Sequence, residues 1–190
     1  AVGSEAQMAA LTVGQEPFPV ATTFFKGPVF NNPAWNFRSF DYDRDTQRAL
    51  DYGSNALDIP PDGLDRFFKG GRKLLLSHGW ADGLIPAQST VNFYEALVKD
   101  IGRSRAKNGV RLFMAPGMGH CAGGAGPSSV DWLGTLGQWV ETGRAPERVL
   151  ASNLPNQSPR TRPLCPHPQV AKYKGQGSTD EAQNFSCAKP

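Results

Sequence analysis

Three side chains in this sequence could act together in a reaction: Asp82, His120 and Cys121. His120 and Cys121 are neighbours in the glycine-rich stretch GMGHCAGG, in a chain that has three histidines and three cysteines. Histidine is the most frequent general base in enzymes, and a carboxylate bound to one ring nitrogen determines which nitrogen takes the proton. The residue types therefore predict acid–base chemistry in which Asp82 orients His120.

The elements that must position these residues are two predicted strands. RKLLLS, which ends at Ser77, and VRLFMA, residues 110–115, are apolar runs of strand length. The helices predicted around them are a short one in DGLDRFFKG capped by Asp62, one from about Ser89 to Ala106, and one from Ser128 or Ser129 to Gly143. Buried strands that alternate with helices are typical of a parallel α/β sheet.

Asp82 and His120 each follow a predicted strand by five residues, counted from Ser77 and Ala115. Functional groups in parallel sheets collect on the loops after the carboxyl ends of the strands. An acid followed by a histidine on successive loops is the second half of the Ser, Asp, His order of α/β-hydrolases. This placement favours a catalytic pair over two unrelated polar residues.

Simpler roles remain open for each residue. Asp82 precedes Gly83, and Asp-Gly is a common turn pair, while His120 alone could be a polar loop residue. His78 opens the same loop as Asp82 and competes for the histidine role, although packing or hydrogen bonding at the strand end is favoured. For His167, which lies between prolines, a surface role is favoured. A zinc site is not expected, since the spacing of histidines and cysteines does not match known sites.

The nucleophile of such a triad is missing from the sequence. No Gly-x-Ser-x-Gly motif occurs, and neither Ser77 nor Ser89 is flanked by the small residues that a nucleophile elbow needs. The chain therefore carries only the acid and the base of the predicted machinery.

Composition restricts the classes of protein to which this chain can belong. A length of 190 residues with 39% hydrophobic content and 19% charged content fits a globular domain rather than a disordered chain. Apolar runs such as LLL are far shorter than the roughly 18 residues of a membrane span. The net charge of +3 comes from interleaved acids and bases, so nucleic-acid binding is not expected. The amino-terminal residues AVGSEAQMAA lack both an initiator methionine and the layout of a signal peptide, which predicts a chain that is processed or cut from a longer one.

The two cysteines in the tail predict a disulfide. Cys165 and Cys187 lie 22 residues apart in a segment rich in proline, glycine, serine and asparagine. A bridge between them would stabilise the fold by about 3 kcal/mol in the chain-entropy model, and it indicates an oxidising compartment. Cys121 is then left over, either as a reactive thiol or as half of a bridge to a partner outside this chain.

These motifs resemble those of the tannase and feruloyl esterase family over most of the chain. The matching stretches are GGRKLLLSHGWADGLIP with Asp82, GMGHC with His120 and Cys121, and SPRTRPLCPHPQVAKYKGQGSTDEAQNFSC with Cys165 and Cys187. The resemblance implies the carboxy-terminal portion of an α/β-hydrolase fold with a mostly parallel sheet. Residues 1–61 would be the end of a lid with extended structure, residues 62–150 the hydrolase core, and residues 151–190 a disulfide-stapled tail.

In this family the nucleophilic serine follows a cysteine that forms a disulfide with the cysteine after the catalytic histidine, which here is Cys121. The segment with that serine, the oxyanion donors and an aspartate-rich calcium loop would lie before Ala1. The expected partner is therefore the amino-terminal half of the same enzyme. No cofactor is assigned to this chain, because a structural calcium would belong to the lid segment.

The resulting prediction is the carboxy-terminal part of a secreted or periplasmic serine ester hydrolase, inactive by itself, that acts on small hydroxylated aromatic esters such as feruloyl or galloyl esters. Leu84 and Ile85 could form an apolar wall against the acyl group, although ordinary core packing explains them equally well. Two alternatives remain: an exported binding module without activity, and a thiol enzyme that uses Cys121. Adjacency to His120 disfavours the second, because successive loop residues usually point apart.

Overall fold

The computed structural model describes residues 16–190 of the chain, and they divide along the sequence into the units 16–60 and 61–190. The predicted lid segment begins at residue 1, so its first 15 residues lie outside the described part. Within residues 16–190, no helix combines the length and the apolar character that crossing a bilayer requires.

The first unit, residues 16–60, is mainly helical, so the prediction of extended structure there is wrong. Its elements are α1 (Pro19–Phe24), a π-helical turn (Phe25–Val29), a 3₁₀ turn (Phe37–Ser39) and α2 (Arg44–Ala56). Proline did not prevent helix formation, because Pro19 occupies the first turn of α1, where no backbone N–H is needed. The aromatic residues pack on one another instead of marking strands: the ring of Phe25 lies 5.3 Å from that of Trp35 and 5.0 Å from that of Phe40.

The second unit, residues 61–190, contains the predicted chemistry. After a 3₁₀ turn (Pro61–Leu64), its elements in chain order are α3 (Asp65–Lys69), β1 (Leu74–Gly79), α4 (Ala87–Ile101), α5 (Arg103–Gly109), β2 (Val110–Ala115), α6 (Trp132–Thr142), β3 (Val149–Ser152), β4 (Thr161–Leu164), β5 (Val170–Tyr173) and β6 (Phe185–Ala188). β1 and β2 pair in parallel, in a register that runs from Leu74 opposite Val110 to Gly79 opposite Ala115. The carboxyl ends of both strands therefore meet at one edge.

Apolar side chains of α4 bury one face of this strand pair. Leu97 of α4 packs with Val110 of β2 in one cluster, and Val91 of α4 packs with Leu112 of β2 in another. Leu97, Val110 and Leu112 are completely buried. This packing fixes the position of α4 against the sheet, which matters below because α4 also contributes a polar side chain near the site.

Four predicted boundaries need correction. The helix predicted in DGLDRFFKG begins only at Asp65, after the 3₁₀ turn, and its cap position is occupied by Leu64 and not by Asp62. β1 continues two residues past Ser77 to Gly79, because its backbone pairing with β2 outlasts its run of apolar side chains. The helix predicted from Ser89 to Ala106 is two helices, since Gly102 adopts a φ of 81° that a continuous helix cannot contain. α6 begins later than predicted, at Trp132, where Asp131 accepts a hydrogen bond from the backbone N–H of Gly134.

The tail has more regular structure than its sequence indicated. β3 pairs with β4 and β5 pairs with β6, both antiparallel, so that the described strands form one parallel pair and two antiparallel pairs. The predicted disulfide is confirmed between Cys165 and Cys187, whose Cα atoms are 5.5 Å apart. Two residues after Cys165, the backbone N–H of His167 donates to the carbonyl of Leu112 at 2.8 Å, so the tail covers the outer edge of β2.

Candidate active site

The loop after β1 carries Asp82, and backbone hydrogen bonds hold this loop against the loop after β2. The N–H of Trp80 donates to the carbonyl of Ala115 at 2.9 Å, and the N–H of Ala81 donates to the carbonyl of Met118 at 3.0 Å. These bonds connect the two loops within a few residues of the strand ends. Asp82 is consequently positioned by both strands and not by its own loop alone.

The loop after β2 carries His120 on a tight, glycine-rich turn. The N–H of Gly119 donates to the carbonyl of Gly123 at 3.0 Å, and the N–H of Gly123 donates to Oγ of Ser128 at 2.9 Å. Cys121 has a φ of 63°, in the left-handed region, which turns the chain back immediately after His120. The turn presents the His120 ring at the loop surface with its backbone fixed on both sides.

The two predicted catalytic side chains are in contact. Nδ1 of His120 lies 2.9 Å from Oδ2 of Asp82. The other carboxylate oxygen, Oδ1, accepts hydrogen bonds from the backbone N–H groups of Leu84 at 2.8 Å and Ile85 at 3.0 Å. Only 4% of the Asp82 side chain is exposed, against 39% for His120. A buried, anchored acid therefore holds an imidazole whose far edge stays accessible.

The environment of Asp82 favours its ionised form. Burial alone would raise the pKa of this carboxyl, but hydrogen bonds from the backbone of Ile85, the ring of His120 and the backbone of Leu84 outweigh burial and lower the pKa below its ordinary value. An ionised carboxylate can only accept hydrogen bonds. The nitrogen of His120 that faces Asp82 therefore carries a proton, and in the neutral ring Nε2 is left free to accept one.

A second histidine shares the same carboxylate oxygen. Nε2 of His78, on β1, lies 3.1 Å from Oδ2 of Asp82, and its Nδ1 lies 2.7 Å from Oγ1 of Thr90 on α4. The hydrogen bonding expected for His78 at the strand end is thus confirmed. Thr90 was not identified from the sequence, because its contact depends on how α4 packs against β1 and leaves no local signal.

The other predicted site residues differ in what they contribute. Leu84 and Ile85 bind Asp82 through their backbones, and Ile85 is 48% exposed, so their role as an apolar wall stays a prediction. Cys121 is exposed and its thiol is free within this chain. Among residues 16–190, no group of three histidine, cysteine or acidic side chains is arranged to bind a metal ion.

Comparison with known proteins decides the family. A family model described as tannase and feruloyl esterase matches residues 8–188. The chain belongs to the tannase and feruloyl esterase family. The resemblance predicted from the three motifs is thereby confirmed.

The proteins that are similar to the chain include both bacterial and fungal ones. Mono(2-hydroxyethyl) terephthalate hydrolase of Piscinibacter sakaiensis is 41% identical over 150 residues, which are 76% of this chain and 24% of that protein. Probable feruloyl esterase B-2 of Aspergillus terreus is 29% identical over 205 residues, 97% of this chain and 39% of that protein. The crystal structure of feruloyl esterase B from Aspergillus oryzae matches with a TM-score of 0.82 at 27% identity, covering 98% of this chain and 40% of the other.

This tannase and feruloyl esterase family member thus shares its fold with solved esterases across nearly its whole length. It spans less than half the length of each of these relatives. The activity of the whole protein therefore enters below as a proposal, built on the contacts of Asp82 and His120.

Proposed function

We propose that this chain supplies the acid and the histidine of a serine ester hydrolase whose nucleophile lies outside residues 1–190. The hydrogen bond of 2.9 Å between Asp82 and His120 carries the proposal. Two further observations support it: the family match, and the order of acid and histidine on successive loops after parallel strands.

The proposed reaction is acyl transfer through a covalent intermediate. The serine hydroxyl attacks the ester carbonyl while Nε2 of His120 takes the hydroxyl proton, and the same proton then passes to the alcohol oxygen as the ester C–O bond breaks. Water repeats the sequence on the acyl-serine and releases the acid. Throughout, Asp82 keeps the ring of His120 in one orientation and stabilises its positive charge.

The proposed substrates are small esters of hydroxylated aromatic acids, such as feruloyl or galloyl esters. Support comes from relatives that are named feruloyl esterases and from the family description. The half-exposed Ile85, adjacent in the chain to the half-buried Leu84, stays within this proposal as part of an apolar wall beside the acid.

The deciding experiment measures hydrolysis of methyl ferulate and methyl gallate by the protein from its natural source and by the 190-residue chain alone. We expect turnover by the first and none by the second, and we expect His120→Gln to abolish turnover in the complete enzyme. Turnover that survives this substitution would overturn the proposal. An inactive natural protein that still binds aromatic esters would favour the non-catalytic binding module.

Cys121 is proposed to bond to the cysteine that precedes the nucleophilic serine. Its exposed, free thiol and its position next to His120 support a bridge that would tie the histidine loop to the nucleophile. Intact mass of the natural material, with and without reductant, tests this directly. Release of a second polypeptide on reduction would support the bridge in a nicked enzyme, and a 20.5 kDa species with a free Cys121 would contradict it.

We also propose how the chain is divided into segments and in which compartment the enzyme acts. Residues 1–61 are proposed as the end of a lid, 62–150 as the last part of the hydrolase core and 151–190 as the stapled tail. The bond between Cys165 and Cys187 supports a secreted or periplasmic enzyme, because disulfides persist in oxidising compartments.

A further inference from the structure

A chain of hydrogen bonds leads from Asp82 away from the proposed reaction into the protein. It runs from Oδ2 of Asp82 to Nε2 of His78 at 3.1 Å and from Nδ1 of His78 to Oγ1 of Thr90 at 2.7 Å. Only 11% of the His78 side chain is exposed. These hydrogen bonds therefore link Asp82 to β1 and to the first turn of α4, which are both parts of the packed core.

The direction of these hydrogen bonds follows from the acid. Ionised Asp82 accepts from both rings, so His78 must present a proton at Nε2 and His120 must present one at Nδ1. A neutral imidazole has a single N–H, and Nδ1 of His78 is then an acceptor for the hydroxyl of Thr90. When both rings are neutral, the two histidines on one carboxylate oxygen are therefore opposite tautomers.

We propose that His78 is a positioning residue for the acid, held in its Nε2–H tautomer by the hydroxyl of Thr90. This inference rests on the proposed function. Its physical basis is that the backbone amides of Leu84 and Ile85 fix only Oδ1 of Asp82. His78 fixes Oδ2, the oxygen that must remain aligned with the ring of His120.

The same contacts explain why only one of the two histidines is proposed to transfer protons. His120 is 39% exposed and can reach a substrate, whereas His78 is enclosed and has both ring nitrogens occupied. Losing His78 would leave Oδ2 with freedom to rotate away from His120. Small displacements of this kind in a catalytic group cost up to about 100-fold in rate.

The first test reads the tautomers without any substrate. The chain is labelled with ¹⁵N-histidine, and long-range ¹H–¹⁵N spectra are recorded at mildly alkaline pH, where a free imidazole is neutral. The chain has three histidines, so His78→Gln and His167→Gln assign the signals. We expect a proton on Nε2 of His78 and on Nδ1 of His120. A proton on Nδ1 of His78, or on both of its nitrogens, would overturn the inference.

The second test measures kcat and KM of the complete enzyme. We expect His78→Leu to lower kcat about 10- to 100-fold with little change in KM, because His78 does not touch substrate. His78→Gln keeps an N–H donor near Asp82 and should recover most of the loss. Thr90→Val should lower kcat and Thr90→Ser should not.

His167→Gln is the matched control, because His167 is also a partly buried histidine of this unit and lies outside the proposed site. Equal losses in His78→Leu and His78→Gln, or an unchanged kcat in a folded His78→Leu protein, would overturn the positioning role. If the proposed function is wrong, the results differ from these. The unmodified enzyme then hydrolyses no ester, or it keeps its activity in His120→Gln. The tautomer spectra still test the role of His78 in that case.

Discussion

Nδ1 of His120 lies 2.9 Å from Oδ2 of Asp82, although 38 residues separate the two along the chain. The contact follows from the parallel pairing of β1 and β2, whose last residues, Gly79 and Ala115, are opposite each other. Both loops leave the sheet at this point and are joined by backbone hydrogen bonds. Changes to the Asp82 side chain should therefore affect His120 without disturbing the strands.

Asp82→Asn should lower kcat of the complete enzyme by about 10³- to 10⁴-fold. The amide has a similar shape, but its N–H₂ end cannot accept the proton of His120, so the ring loses the tautomer that leaves Nε2 free. Steady-state kinetics on methyl ferulate measure the loss. Asp180→Asn is the control, because Asp180 is 49% exposed and forms a surface ion pair with Arg160. Comparable losses in both variants would show that the effect is not specific to Asp82.

The stability of the chain should depend on pH through Asp82. Its pKa is lower in the folded chain than the value of about 4 expected in the unfolded chain, because its hydrogen bonds outweigh its burial. The ionised carboxylate therefore stabilises the folded state above about pH 4, and this contribution is lost as pH falls through the folded pKa. Thermal melts of the unmodified chain and of Asp82→Asn, from about pH 6 to about pH 2, should show a difference in Tm that shrinks towards acid. A difference that grows towards acid would contradict the lowered pKa.

The sequence was sufficient to predict the parts of the fold that rest on local apolar patterns. β2 has the predicted bounds, Val110–Ala115, because all but one of its residues are buried and the apolar run coincides with the strand. The end of β1 was predicted too early because His78 and Gly79 interrupt the apolar pattern while their backbones continue to pair. Helix α2 was not predicted, although its few apolar residues recur with a helical period, because most of its residues are polar and it follows a segment rich in aromatic residues and proline.

The tail strands and the contact with Thr90 could not be predicted because they depend on partners that are distant in the sequence. β3 through β6 are four residues each, and their partners lie far along the chain, as with Val149 and Leu164. Thr90 reaches His78 only because α4 packs across β1. In the candidate site, residue types and spacing pointed to Asp82 and His120, while the residues that hold them depend on tertiary packing.

The disulfide between Cys165 and Cys187 should account for a large share of the stability of residues 61–190. Replacing both cysteines with alanine should lower the free energy of unfolding by about 3 kcal/mol. The bridge joins residues that are 22 positions apart and so lowers the conformational entropy of the unfolded chain. Urea denaturation measures the change. Cys121→Ser is the matched control, since Cys121 is exposed and unbonded within the chain, and it should unfold like the unmodified chain. A double variant that is as stable as this control would contradict the prediction.

Gly79→Ala should destabilise the fold at the point where the two loops of the site meet. A Cβ atom at Gly79 would overlap the backbone carbonyl oxygen of Met118 and come within 2.7 Å of that of Gly119, and neither is a flexible side-chain atom. The loop that carries His120 would have to move, at a cost of about 1–3 kcal/mol. Urea denaturation and the His120 imidazole signals together measure the loss of stability and the displacement.

Gly137→Ala tests whether this effect is specific to the crowded position. Gly137 lies within α6, and a Cβ there meets no atom within 4 Å. Alanine has a higher helix propensity than glycine, so this variant should gain about 0.5–1 kcal/mol and leave the His120 signals unchanged. If Gly79→Ala matched Gly137→Ala in stability and spectrum, the close approach of the β1 end to the histidine loop would not be what holds Asp82 and His120 together.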